Sequence, residues 1–318
     1  MLALLALLSA CATPTPAPPK SGASELEAVP FFPQAQYQCG PAALATVLVH
    51  SGVATTPAAL VPQVYLPGRQ GSLQLELMAA ARRAGRIAYT LDTTAQALLA
   101  ELEAGHPVLV MQNLGLESAP RWHYAVVIGY QPEQQRVVLR SGTQYRKLES
   151  WRAFMGSWAR AEFWGLVIPP PGELPASSTA DAIGPYLAGQ EGQLDPAILR
   201  AAWEKALARW PQDPDLMFAT ANARRSAAEP ESAAALYRRL LLQAPEHMPA
   251  RNNFADLLLS TGCRRAAATI IGPAVSVAQR LSPAARDAII STSAAIANHL
   301  SRPSPDPEYC RALIQGLS

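Results

Sequence analysis

The chain is organised around one stretch, Pro33-Gln34-Ala35-Gln36-Tyr37-Gln38-Cys39-Gly40-Pro41-Ala42-Ala43-Leu44, which places a cysteine where a loop ends and an apolar run begins. Proline is tolerated in the first turn of a helix, so Pro41 is compatible with a helix that starts at Cys39. The unpaired N–H groups and the positive dipole end of such a helix favour thiolate over thiol. We therefore expect a lowered pKa for Cys39 and interpret it as a nucleophile.

A second stretch carries a candidate base. His123 opens a run rich in β-branched and aromatic residues that is bounded by Gly129 and Pro132, a pattern that predicts a buried strand. A free cysteine is most often a small buried hydrophobe, and a lone histidine at a strand end most often does no chemistry. The combination of Gln34, the Cys39-Gly40-Pro41 box and a histidine 84 positions later indicates a catalytic site far more specifically than either residue alone.

These motifs resemble those of papain-like cysteine peptidases of the bacteriocin-processing, double-glycine leader type, and the resemblance covers residues 28–170. It implies that the cysteine attacks an amide carbonyl, that the histidine shuttles its proton, and that an upstream glutamine helps to hold the oxyanion. Carried over, Cys39 is the nucleophile and His123 is the base.

The resemblance also implies an oxyanion donor, which is Gln34. It lies five residues before Cys39, whereas the family more often has six. Gln36 and Gln38 are alternatives.

The third catalytic member departs from the family, which places an aspartate or asparagine one strand after the histidine to hold its tautomer. The next strand here, Arg136–Arg140, has no carboxylate at its end. If Tyr130 pairs with Arg136, the antiparallel register puts Thr143 opposite the histidine and Ser141 on the same face.

Ser141 is accordingly our first choice as a neutral orienter of His123. Thr143 is a second candidate. Asn113 is a third, because an amide oxygen can accept from a ring N–H.

The elements around these motifs predict helices first and then a sheet. Ser72–Gly85 has the pattern of a capped helix that ends at Gly85. Further segments follow as strand, helix, strand and closing strand: Ile87–Leu91, Thr94–Ala104, Pro107–Gln112 and Phe163–Ile168. We therefore predict an α+β papain-like domain over residues 28–170, with a helical layer packed against an antiparallel sheet and the cleft between them.

The N-terminus has the pattern of a bacterial lipoprotein. Residues 1–11 form an apolar stretch that ends in Leu8-Ser9-Ala10-Cys11, so we expect a signal peptide and lipidation at Cys11. Residues 12–27 would be a Pro-rich, semi-rigid tether to the membrane. Ala12 is not the aspartate associated with inner-membrane retention, which favours the periplasmic face of the outer membrane.

The C-terminal part predicts a second, all-α domain. Residues 171–194 have a linker composition. The domain of residues 195–318 contains about two and a half units with a period of 34, from Asp195 to Leu281, as in Pro211 and Pro245. This period and these residue types resemble tetratricopeptide repeats, which offer a concave face to a protein partner. Cys263 and Cys310 could pair in an oxidising compartment, but their spacing leaves the pairing open.

Composition limits the other functions. The formal net charge is only +2, with 16% charged and 49% hydrophobic residues, which argues against nucleic-acid binding and fits chains that bury sizeable cores. No cysteine or histidine spacing predicts a metal or cofactor. We expect an enzyme of slow turnover or one activated by a partner; the rival interpretation is a non-catalytic envelope scaffold on a degenerate peptidase fold.

Overall fold

A computed structural model describes residues 17–18, 25–300 and 307–317 of the chain. The chain folds into two compact units. The first runs to Pro171 and includes Pro175–Ser177, and the second includes Gly172–Leu174 and continues from Ser178. The predicted signal peptide, the lipidation site Cys11 and most of the predicted tether lie outside the described residues.

The first unit opens with a helical layer made of α1 Cys39–His50, α2 Pro57–Val64 and α3 Gln74–Arg83. Helix α1 is buried along most of its length, because its apolar residues pack against the sheet. Helix α3 is shorter than predicted: it begins after Leu73, with no side-chain cap, and ends before Gly85, whose φ of +70° suits a helix stop.

The sheet of the first unit has six antiparallel strands in the order β1-β6-β2-β3-β4-β5, and two helices lie along the same part of the chain. The bounds are β1 Tyr89–Thr90, α4 Ala95–Glu103, β2 Val108–Asn113, β3 Trp122–Gln131, β4 Arg136–Ser141, β5 Gln144–Ser150, α5 Trp151–Ala159 and β6 Gly165–Val167. Residues of α1, α2 and α3 share one hydrophobic cluster with residues of β2, β3, β4 and β6. The predicted helical layer against an antiparallel sheet is therefore confirmed.

The β3–β4 hairpin departs from the predicted register at its turn, where Tyr130 pairs with Val137 instead of Arg136. A bulge in β3 then adds one residue to that strand. Beyond the bulge, Val126 pairs with Arg140, which is the predicted register. The predicted register is therefore wrong near the turn but correct at the end of the hairpin that carries His123 and Ser141.

The second unit is helical. Its helices are α6 Ala180–Ala188, α7 Pro196–Arg209, α8 Pro214–Ser226, α9 Pro230–Gln243, α10 Met248–Ser260, α11 Arg264–Val277, α12 Pro283–His299 and α13 Pro307–Leu313. The stretch 171–194, predicted as a linker, contains α6, because Ile183 and Leu187 give this small-residue segment an apolar side that is fully buried. Composition alone missed that pattern.

The helix starts in the second unit repeat at a fixed interval. Helix α9 begins 34 residues after α7, α10 begins 34 after α8, and α11 begins 34 after α9. Cys263 and Cys310 form a disulfide that closes 47 residues of chain. Within the described residues, every helix is too short or too polar to cross a bilayer.

Candidate active site

Cys39 is the first residue of α1, as the sequence predicts, and it is half-buried. Its sulfur accepts hydrogen bonds from the peptide N–H groups of Tyr124 and Gly40. The Tyr124 N–H belongs to the peptide that follows His123. Helix α1 and strand β3 therefore bring the thiol to the residue directly after the candidate base.

The pKa of the Cys39 thiol differs from our expectation. Burial raises this pKa, and the hydrogen bonds from the peptide N–H groups of Tyr124 and Gly40 oppose the increase without cancelling it. The expected lowering at the helix start was wrong because the apolar first turn and the sheet remove water from the sulfur. Sequence shows the helix start, but it does not show how deeply the sulfur is covered.

His123 is the second residue of β3 and is half-buried. Burial, with the positive charges of Lys147 and Arg121, lowers the pKa of His123 to about 4. The imidazole is therefore neutral at physiological pH. Because the pKa of Cys39 is raised, the thiol and the imidazole are both uncharged at rest.

Ser141 contacts His123 directly, with 2.8 Å between its Oγ and the ring Nε2. Ser141 is the last residue of β4 and is buried. Its hydroxyl can donate or accept, so it positions the ring without forcing one tautomer, unlike a carboxylate, which only accepts. The contact leaves Nδ1 as the ring nitrogen for proton exchange with a thiol when Nε2 carries the hydrogen.

The other two candidates for the third member lie elsewhere. Thr143 is exposed in the turn between β4 and β5, beside Gly142 with φ of +62°. Asn113 is buried, and its Oδ1 accepts from the N–H groups of Gly115 and Arg121 at 2.9 Å each. Its Nδ2 donates to the carbonyl of Leu116 in the same loop. Asn113 therefore organises the loop between β2 and β3.

Gln34 reaches the same strand end from the loop before α1. Its Nε2 donates to the carbonyl oxygen of Tyr124 at 3.3 Å, and its backbone N–H donates to the carbonyl of Gly142 at 3.1 Å. The alternatives are placed differently: Gln36 is exposed, and Gln38 precedes α1 without a side-chain cap bond. Gln34 is therefore the glutamine whose side chain binds the peptide beside His123.

Tyr124 is the residue that sequence reasoning missed. Its N–H contacts the Cys39 sulfur, its carbonyl accepts from Gln34, and its phenol donates to the carbonyl of Ser72 at 3.2 Å. Its ring meets Trp164 edge-on, with centroids 5.8 Å apart. The available signal was its position directly after His123, in a run that otherwise has the pattern of an ordinary core strand.

A cleft of about 790 Å³ opens beside the thiol. Its lining includes Cys39, Tyr124 and the segment Gln70–Gln74, with Arg69 and Arg121 as cations. Tyr37 and Trp122 also line it and are 48% and 52% exposed, so the cleft offers two aromatic surfaces to a ligand. Such a groove suits an extended chain that passes across the sulfur.

Among the described residues, the His, Cys, Asp and Glu side chains do not form a group of three that could hold a metal ion. The groups that lie around the start of β3 are the Cys39 thiol, the His123 imidazole, the Ser141 hydroxyl and the Gln34 amide. These are the groups of nucleophilic acyl transfer.

Part of the chain is similar to a known protein family. Residues 26–165 match a family described as Peptidase_C39 like family. No curated protein matches the chain.

Three solved structures are similar to the first part of the chain. A putative C39-like peptidase from Bacillus anthracis is 17% identical, with a TM-score of 0.39, over 46% of this chain and 98% of that one. A double glycine motif protease from an AMS/PCAT transporter, solved with the leader peptide, is 20% identical, with a TM-score of 0.34, over 45% and 91%. The peptidase domain of Streptococcus ComA, a bi-functional ABC transporter, is 22% identical, with a TM-score of 0.36, over 45% and 98%.

Proposed function

Because residues 26–165 match the Peptidase_C39 like family, we propose that this chain is a cysteine peptidase that cuts, or transfers at, a peptide amide bond through Cys39 and His123. The observation that supports this most is the convergence of three groups on one strand end. The Cys39 sulfur and the Gln34 amide both bind the backbone of Tyr124, and His123, one residue earlier, is held by Ser141. The substrate would be a peptide or protein segment.

In the proposed mechanism, His123 removes the thiol proton as the Cys39 sulfur attacks the carbonyl carbon, forming a tetrahedral oxyanion. The side chain of Gln34 and the backbone N–H of Cys39 stabilise that oxyanion. A primary amide has two N–H donors, so Gln34 can bind the oxyanion with one while the other holds the Tyr124 carbonyl. His123 then protonates the leaving amine, and water, or another amine in a transfer, releases the thioester.

The resting protonation states support slow basal turnover. Burial raises the pKa of Cys39, and burial with Lys147 and Arg121 lowers the pKa of His123, so the thiolate–imidazolium pair is sparsely populated before substrate binds. Without a carboxylate, Ser141 adds no charge to stabilise the imidazolium. A bound partner or substrate that supplies negative charge near His123 would increase turnover.

We also propose that the enzyme works in the bacterial cell envelope, anchored through lipid on Cys11 at the periplasmic face of the outer membrane. The disulfide between Cys263 and Cys310 supports an oxidising compartment. The 34-residue spacing of helix starts supports a tetratricopeptide-like role for the second unit, which would recruit a protein partner or the substrate.

The experiment that tests the proposal is peptide mass spectrometry of the cell envelope, comparing the wild type with Cys39→Ala at equal protein levels. We expect peptides with one defined new terminus in the wild type that disappear in the variant. Identical peptide sets, with both proteins folded and present, would overturn the peptidase assignment.

A non-catalytic scaffold is the second candidate. The raised thiol pKa favours it, as does the fact that no carboxylate in the described part of the chain acts on the pKa of His123. In that case Cys39→Ala and His123→Asn would leave every envelope peptide unchanged, whereas disruption of the helical unit would change the set of associated proteins. Comparison of these two classes of variant separates the two functions.

A further inference from the structure

One wall of the cleft is held in place by hydrogen bonds to β2 and β3. We call the segment Gln70–Gln74 the cleft wall, since all five of its residues line the same cleft as Cys39. The phenol of Tyr124 donates to the Ser72 carbonyl at 3.2 Å, and the Gln74 amide reaches the Met111 sulfur at 3.5 Å. Met111 and Tyr124 are paired across β2 and β3, so both bonds anchor the wall at one position along the sheet.

The wall lies directly on the first turn of α1. A Cβ placed on Gly40 would overlap Ser72 Oγ and lie 2.6 Å from Ser72 Cβ, which means that these two residues touch with no space between them. The Ser72 hydroxyl is buried there and, among the described residues, has no hydrogen-bond partner. A buried hydroxyl without a partner is costly, so the packing of Ser72 on Gly40 must be maintained by other contacts.

We propose that the Tyr124 hydroxyl is a latch that holds the cleft wall against Gly40 and thereby limits the size of the group that can reach the Cys39 thiol. Tyr124 is a positioning residue in this role. Its backbone N–H donates to the Cys39 sulfur, while its phenol, at the end of its side chain, donates to the Ser72 carbonyl of the wall. The latch rests on the proposed function only in treating Cys39 as the reacting group.

The phenol can be removed without removing the ring. Phenylalanine at position 124 would keep the buried ring, its edge contact with Trp164 and the backbone N–H to the sulfur. It would remove only the donor to the Ser72 carbonyl. The remaining bond from Gln74 ends on a thioether sulfur, which is a weak acceptor. The wall should then open more often.

The test measures alkylation of Cys39 by two reagents of different size, iodoacetamide and fluorescein-maleimide, on the full chain, with labelling read at the Cys39 peptide by mass spectrometry. In Tyr124→Phe we expect the rate ratio of the large to the small reagent to rise about fivefold, the factor that one neutral hydrogen bond represents. The pH profile with iodoacetamide should stay unchanged, because the backbone donor to the sulfur is retained. Tyr145→Phe, an exposed tyrosine outside the cleft lining, is the matched control and should leave the ratio unchanged.

Two further measurements make the latch open to refutation. Ser72→Gly removes the atoms that touch Gly40 and should also raise the size ratio. Amide hydrogen exchange across the cleft wall should accelerate in Tyr124→Phe. An unchanged ratio in both variants, or an unchanged exchange rate in a folded Tyr124→Phe protein, would overturn the latch without bearing on whether Cys39 cleaves peptides.

Discussion

Replacing Ser141 by aspartate should convert the neutral Cys39–His123 pair into an activated one. The Ser141 Oγ lies 2.8 Å from Nε2 of His123, so a carboxylate at this position would sit beside the ring. An opposite charge at such a distance raises a histidine pKa by about one to three. The pKa of His123 would then move from about 4 into the range of roughly 5 to 7.

The consequence for the thiol follows from the same charge. A more basic imidazole takes the thiol proton more readily, so the thiolate–imidazolium pair gains about a factor of ten for each pKa step on His123. We expect Ser141→Asp to alkylate with iodoacetamide at least about tenfold faster than the wild type near pH 6. The wild type should show its main rise in rate only at alkaline pH, because burial raises the Cys39 pKa.

The assay is the full pH–rate profile of Cys39 alkylation, with the labelled site identified by mass spectrometry. Ser141→Asn is the matched control, since it has the shape of aspartate without the charge and fills the same buried position. Circular dichroism would confirm that both variants are folded. If the Asp and Asn variants give the same profile, Ser141 does not act on the thiol through His123, and the proposed role of Ser141 is wrong.

Three further predictions concern stability. Between pH 6.5 and about 4, His123 binds a proton in the unfolded chain but not in the folded chain. The free energy of unfolding should therefore fall by about 3 kcal/mol as pH decreases through that window. In urea titrations, His123→Asn should remove this part of the pH dependence. Glu101→Gln should lower the free energy of unfolding, measured in urea, by about 3 kcal/mol. The buried Glu101 carboxylate accepts hydrogen bonds from His106 and Ser177, which outweigh the effect of burial and lower its pKa. A loss under about 1 kcal/mol would contradict this. Replacing Cys263 and Cys310 by serine should destabilise the second unit by roughly 4 kcal/mol, because their disulfide closes a loop of 47 residues. If the thermal transition of the wild type is the same with and without reductant, the disulfide is not formed.

Local sequence determined the elements that carry the site. Pro41 and the apolar run after it are sufficient to start a helix at Cys39, and the β-branched run after His123 is sufficient for a strand. These are short-range effects of proline geometry and hydrophobic periodicity, so one sequence reveals them. The 34-residue helix spacing was readable for the same reason, because each repeat carries its own pattern.

The protonation states and the contacts between distant segments were decided only by the tertiary structure. The helix start predicted a lowered pKa for Cys39, but the sheet packed over it removes water and reverses the sign. Near the turn, the register of β3 and β4 differs by one residue from the predicted one, and a bulge in β3 restores the predicted register. This brings Ser141 to His123. The role of Tyr124 arises only where α1, β3 and the cleft wall meet, since burial and hydrogen bonding between distant segments depend on neighbours that local sequence does not name.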